Sequence, residues 1–418
     1  MFNFYLKPIK FFATLSVALC LLLASCSKSS SDAANAEDNS LRKIAVLKNI
    51  SNIKEVNLST IASDIEYCVL ETNDNCLVTS QMRFYCTKDY IVSIGSSPPL
   101  DVCYVFERKT GKFVRQISKK GQGPGEYNEV ISDFWDEKNE QVCLWYHPNY
   151  MFYNLDGTLS HKINRDEYHR FYPSFIYNDI HVRYMPNVYG DQNKRIVFRD
   201  RIGEIIDSIP NFRTWEKTYS HTSAFFREAK FHVFRNELFY TDVYSDTLFH
   251  VINNTLQPRY IFDVGDLTVP YSMHSISLDE LLAYSRGGER YEKYIVIQKI
   301  FEDAKFLYFI FDYKWKRYPA IYEKKEDLLQ IMPPMTINPQ ERGLDRLYPL
   351  YGLKNDLDGG LSFWPMQMVL EKEMMCVYAA EELLELDASK VTDLKLKNVI
   401  ENIDVESNPV IAIVTLKN

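Results

Sequence analysis

The feature that most constrains this chain is a recurring hairpin. Val102 to Phe106 runs into Lys109-Thr110-Gly111 and returns as Lys112 to Ile117. Met151 to Asn154 turns at Leu155-Asp156-Gly157 and returns as Thr158 to Ile163. Arg195 to Arg199 turns at Arg201-Ile202-Gly203 and returns as Glu204 to Ile209. Thr247 to Ile252 turns at Asn253-Asn254 and returns around Arg259 to Val264. Each unit is an alternating apolar strand, a tight turn rich in Gly or Asn, and a second strand. Such turns need positive φ, which Gly and Asn tolerate. The turn positions 111, 157, 203 and 254 follow one another in steps of 46, 46 and 51 residues.

A fifth hairpin, Phe306 to Tyr322 about Tyr313-Lys314, comes later than the period predicts, so a segment is inserted before it. Ser277 to Gln298, which lies there, reads as helical. Ile65 to Leu70 with Tyr90 to Ile94 supplies an earlier strand pair, and Phe363 to Met368 with Met374 to Ala379 a later one. A short helix is expected over Ala388 to Ile400, and Pro409 to Leu416 closes the chain as a strand. A period of about 40–50 residues with four strands per unit is that of a β-propeller. Counting hairpins gives six blades. A single blade cannot bury both of its faces; a closed ring of blades can, and it also protects the strand edges. The closing strand should complete a blade with an early one, Lys43 to Leu47 or Val56 to Ile61. A pair of β-sandwiches is the competing fold.

Composition agrees with an all-β chain. Aromatics make up 14% of the residues, with 29 Tyr and 25 Phe, types that favour strands. The net charge is −8 and no long run of Lys or Arg occurs, which argues against nucleic acid as a partner. The cysteines beyond the leader (Cys26, Cys68, Cys76, Cys86, Cys103, Cys143, Cys376) lack zinc spacing and form no C-x-x-C. Buried free thiols are expected for most, with Cys68 and Cys76 the first pair to check for a bridge.

The N-terminus carries an address. Lys7 and Lys10 precede a mostly apolar run, Phe11 to Ala24, too short to span a bilayer. Leu23-Ala24-Ser25-Cys26 reads as a bacterial lipobox. Residues 1–25 are then a lipoprotein signal peptide, Cys26 the lipidated residue, 26–40 a polar tether, and 41–418 the propeller. The expected location is the cell envelope, at the outer membrane, anchored by lipid; Ser27 is compatible with that sorting.

Two motifs sharpen the fold. Lys119-Lys-Gly-Gln-Gly-Pro-Gly-Glu-Tyr127 resembles the G-x-G-P-G-E-[YF] segment of NHL-type blades. Asn355-Asp-Leu-Asp-Gly-Gly-Leu-Ser-Phe-Trp-Pro365 resembles a segment of the six-bladed β-propeller lipoproteins of Gram-negative gut bacteria. Asn236 to His250 and Asn408 to Lys417 look like further parts of that family. The resemblance implies an all-β six-bladed propeller with NHL-like blades and short helical insertions; it implies no reaction. Physically, Gly121, Gly123 and Gly125 permit a sharp inter-blade turn, Pro124 stiffens it, and Glu126 and Tyr127 can tie it down. A phosphate cradle fails on spacing, because Glu126 stands where a dinucleotide fingerprint needs its third Gly. Asp358, Gly359 and Gly360 read as a structural turn leading to Trp364 and Pro365. A calcium loop would need an oxygen ligand where Gly360 stands.

No G-x-S-x-G, H-E-x-x-H or S-x-x-K constellation occurs, and the eight histidines are scattered. Recognition is therefore favoured over catalysis. The expectation is a binding or scaffold module for a glycan, peptide or protein, without a cofactor. Trp135, Trp145, Tyr146 and His147 are the candidate face, since they lie close to the glycine-rich turn. The alternative is a calcium-dependent lactonase or arylesterase of similar architecture, with Asp133, Asp242 or Asp358 holding metal in the central channel.

Overall fold

Turn chemistry sets the sheets. Asn178-Asp179, Arg235-Asn236, Asn253-Asn254 and Lys314-Trp315 all take positive φ, from 48° to 66°, at two consecutive residues. This is the backbone of the tightest hairpins, whose twist matches that of the strands they join. The computed structural model describes residues 40–417 apart from 96–100, 128–129, 131, 147–148, 165–173, 217–220, 223–227, 286–290, 338–351 and 388. The signal peptide, Cys26 and nearly all of the tether thus lie outside the described residues.

Six blades follow in chain order. Blade 1 comprises Arg83–Cys86, Tyr90–Ile94, Cys103–Glu107 and Phe113–Gln116; blade 2, Ser132–Asp136, Gln141–Tyr146, Asn149–Asn154 and Leu159–Asn164. Blade 3 comprises Ser174–Tyr177, Ile180–Tyr184, Lys194–Arg199 and Ile205–Pro210; blade 4, Ala229–Phe234, Glu237–Asp242, Thr247–Ile252 and Thr255–Phe262. Blade 5 comprises Val296–Glu302, Phe306–Tyr313, Lys316–Glu323 and Leu328–Ile331, with Met335–Thr336 added beside its third strand. Blade 6 takes Gln367–Leu370, Glu373–Tyr378 and Val410–Leu416 from late in the sequence and its outer strand, Ala62–Val69, from early.

That outer strand closes the ring. Ala62 pairs with Leu416 and Val69 with Val410, antiparallel throughout. The two segments expected to close it do other work. Arg42–Ile44 runs parallel to Thr255–Phe262 and covers the edge of blade 4, while Val56 lies in the core beside blade 6. Ile65 to Leu70 accordingly pairs with the C-terminal strand and not with Tyr90 to Ile94. Asn408 secures the seam: its side chain donates to the carbonyls of Glu71 (2.6 Å) and Cys76 (2.8 Å) and accepts from the Val78 N–H (2.9 Å).

Aromatic and aliphatic side chains fill the wedges between blades. Phe84, Ile91 and Phe106 of blade 1 meet Met375, Val377 and Ile411 of blade 6. Phe234, Phe239 and Tyr260 of blade 4 meet Leu307, Phe309 and Phe311 of blade 5. This accounts for the aromatic content, since a large flat ring covers much area at low conformational cost. Cys68, Cys76, Cys86, Cys103, Cys143 and Cys376 form no disulfide with one another and are buried except for the half-buried Cys68.

The expected helices are shorter than their sequence segments. Leu278–Ser285 is helical and strand resumes at Val296; Ala380–Leu384 and Leu394–Glu401 form two helices near the closing seam. The fifth expected hairpin joins the second and third strands of blade 5, whereas the first four join third and fourth strands. Its late position therefore reflects both an insertion and a different place in the blade.

Candidate functional site

An antiparallel meander puts its connections alternately at two ends. At one end, the turns joining first to second and third to fourth strands are tight, as at 178–179, 235–236, 253–254 and 371–372. At the other end lie the inter-blade connections and those joining second to third strands. These include 185–193, 211–228, 263–295, 332–366 and 379–409. The spare chain is thus concentrated at one end of the ring, the arrangement that places adaptable loops on a rigid scaffold.

Over blades 3 and 4 these loops cover a charged core. Asp242 ends the second strand of blade 4 and is 2% exposed. It accepts from Arg195 Nη2 (2.6 Å), Arg213 Nη1 (2.9 and 3.1 Å), the Tyr240 hydroxyl (2.6 Å) and the Tyr244 N–H (3.0 Å). Burial alone would raise its pKa, but Arg195 and Arg213 outweigh it and hold the carboxyl well below the usual range. Arg195 lies over the rings of Tyr240 and Phe249, and Arg213 over Tyr271 at 5.3 Å.

A second buried pair stands beside it. His274 Nε2 lies 2.9 Å from Glu228 Oε1, and both side chains are 1% exposed. The His274 ring stacks on Tyr244 at 4.3 Å and on Trp215 at 5.6 Å. Trp215 Nε1 donates to the Asn187 carbonyl (2.7 Å), and the Asn187 amide donates to the Arg213 carbonyl (2.9 Å). His221–Thr222 pairs with Ser275–Ile276, so the connections 211–228 and 263–295 are joined by backbone hydrogen bonds. Above this fixed base Phe212 is 88% and Tyr189 66% exposed.

The residues singled out in the sequence lie elsewhere. Trp135 is half-buried and stacks on Tyr85 of blade 1 at 5.5 Å. Trp145 is 3% exposed and stacks on Tyr150 at 5.8 Å, so its ring is packing and offers no open face to a ligand. The Tyr146 and Asp133 side chains and all of His147 lie outside the described residues. In the glycine-rich turn, Glu126 Oε2 accepts the Gly123 N–H (2.8 Å) and Tyr127 O accepts the Gly121 N–H (2.9 Å). The Tyr127 hydroxyl donates to the Asp101 carbonyl (2.9 Å), and Tyr153 of blade 2 donates to the Gly125 carbonyl (3.0 Å). Pro124 is exposed at the apex.

Asp358 is buried, accepting from the Tyr67 hydroxyl (2.7 Å) and the Gly360 N–H (2.8 Å); burial pushes its pKa up. Gly359 passes against the Lys390 backbone, and Trp364 packs edge-on to Tyr308 with Pro365 buried beside it. Neither Asp242 nor Asp358 is set up as a cation ligand, because two guanidiniums face the first and hydroxyl and amide donors the second. Among the described residues no three His, Cys, Asp or Glu side chains gather at metal-binding range.

The aromatic and cationic group at 189 and 212–215 was missed. Its signal is Phe212-Arg213-Thr214-Trp215, two aromatics flanking a cation at the start of a connection far longer than a blade needs.

Comparison with known proteins places the chain at the level of fold. The sequence family described as a domain of unknown function, DUF4934, matches residues 41–415. A Bacteroides fragilis protein whose export is inferred is similar in structure, with a TM-score of 0.60 and 19% identity, covering 90% of this chain and 99% of its own. A Bacteroides vulgatus member of the DUF4221 family matches at a TM-score of 0.48 and 12% identity, over 67% of this chain and 88% of its own. No curated protein matches the chain.

Proposed function

The chain belongs to the DUF4934 family, and we propose that it is a recognition module of the cell envelope, meeting a glycan, peptide or protein with the loop end of its ring. The observation that carries this reading is the exposure of Phe212 and Tyr189 on a base fixed by buried ion pairs and ring stacking. Exposed aromatics cost free energy in water, and a rigid base removes the ordering penalty that binding would otherwise incur. On glycan and peptide arrays, Phe212→Ala combined with Tyr189→Ala should abolish hits that Ile202→Ala retains. Ile202 is 75% exposed in a tight turn at the opposite end. Hits that survive the double change would move recognition off this face.

The address belongs to the same proposal. The apolar leader, the lipobox and the polar stretch to residue 40 support a signal peptide over 1–25, lipid on Cys26 and a tether, with the outer membrane as destination. The inferred export of the similar Bacteroides fragilis protein is in keeping with this. An alkyne fatty acid fed to producing cells should label the wild-type chain and leave Cys26→Ala unlabelled; label on the variant would dismiss the anchor.

A further inference from the structure

We propose that Arg213 is the anion-recognition point of the loop end and that the ligand it takes is a carboxylate-bearing saccharide. The inference rests on the reading of this end as the recognition face and names its chemistry. Arg213 is held from two sides: Nη1 bridges both oxygens of Asp242, and the guanidinium lies over the Tyr271 ring. These contacts fix its orientation without using Nε or Nη2, which have no acceptor among the described residues. The side chain is 28% exposed. A planar edge of two N–H donors, already oriented, matches a carboxylate in bidentate fashion.

The local charge balance favours a monoanion. Two guanidiniums share the single carboxylate of Asp242, leaving one positive charge in excess. Beside it, His274 Nδ1 lies 2.8 Å from the Tyr271 carbonyl and Nε2 lies 2.9 Å from Glu228 Oε1.

The surroundings favour a sugar over an acidic peptide. Phe212 precedes Arg213 in the chain and Trp215 follows two residues later, with its indole edge anchored on Asn187. An exposed aromatic one residue from an oriented guanidinium suits a rigid pyranose, whose C–H face stacks on such a ring while its carboxylate meets the N–H edge.

Calorimetric titration of the mature propeller tests this with four ligands at one ionic strength: trigalacturonate, the neutral galactose trimer, a hexaglutamate peptide and inorganic phosphate. Trigalacturonate should bind, weaken as salt is raised, and lose about tenfold or more in affinity in both Arg213→Gln and Phe212→Ala. Phe212→Ala alters only an exposed ring, so a misfolded Arg213→Gln would still leave the test readable. Failure of trigalacturonate to bind overturns the inference, as does equal binding of the neutral trimer, or binding of peptide or phosphate alone. Phe212-dependent array hits in any of those cases would keep the broader recognition reading and discard only the acidic sugar.

Discussion

Asp242→Ala should destabilise the ring by about 3–5 kcal/mol, because it leaves two partly buried guanidiniums without their buried counter-charge. Chemical denaturation at neutral pH measures it. The loss should shrink in Arg195→Met combined with Asp242→Ala, where one of the stranded charges is also removed. The same carboxylate makes stability depend on pH in a definite direction. Its folded pKa is depressed below the value near 3.9 that an unfolded Asp shows. Its contribution is therefore fully present above about pH 4 and is lost as pH falls further through the folded value. The wild-type midpoint should fall more steeply in that acid window than the midpoint of Asp242→Ala. Parallel curves would mean that the Asp242 pairs are not a net source of stability.

Gly111→Ala should cost a comparable amount, about 3 kcal/mol or more, for a different reason. Gly111 has φ of +70°, and a Cβ there would lie 1.8 Å from the Val69 carbonyl oxygen. Val69 is the last residue of the early strand that completes blade 6, and the Gly111 carbonyl accepts the Glu71 N–H at 2.8 Å. Adding a methyl pushes the outer hairpin of blade 1 off the closing strand. Gly125→Ala supplies the control. Its φ is +78°, but its Cβ would meet nothing nearer than Leu159 at 3.8 Å. It should lose only the conformational share, roughly 1 kcal/mol. Denaturation midpoints for the pair separate strain from collision, and limited proteolysis should nick Gly111→Ala near the seam. Equal losses in the two variants would refute the collision.

The hairpins were readable because their information is local. Gly157, Gly203 and Asn253-Asn254 announce tight turns wherever they occur, and alternation marks the strands beside them. Ring closure was not readable in the same way. Arg42–Ile44 and Ala62–Val69 both look like early strands, and only packing decides which meets Val410–Leu416. The early candidate binds blade 4 instead, with Lys43 paired to Asp263 at 3.1 Å. Helix limits suffered from the same weakness: Ser277 to Gln298 is apolar and charged enough for a helix throughout, yet from Val296 its residues complete blade 5.

The site was harder still. Trp135 and Trp145 looked available because they neighbour a loop motif, but both sit on strands whose side chains pack. Arg195, Arg213 and Asp242 become one cluster only when blades 3 and 4 adjoin. No spacing rule predicts that an arginine in an inter-blade connection will share a carboxylate with one on the preceding blade.

The composite blade 6 has a consequence for biosynthesis. A ribosome makes Ala62–Val69 early and delivers its partner Val410–Leu416 only after several hundred further residues, tens of seconds later at ordinary elongation rates. Until then five blades can form but the circle stays open, with the edge of Ala62–Val69 and the apolar flank of blade 1 unsatisfied. A chain cut short before residue 410 is left permanently in that state, a ready target for proteases. The joint therefore acts as a check on synthesis, since only a chain translated through Leu416 can latch.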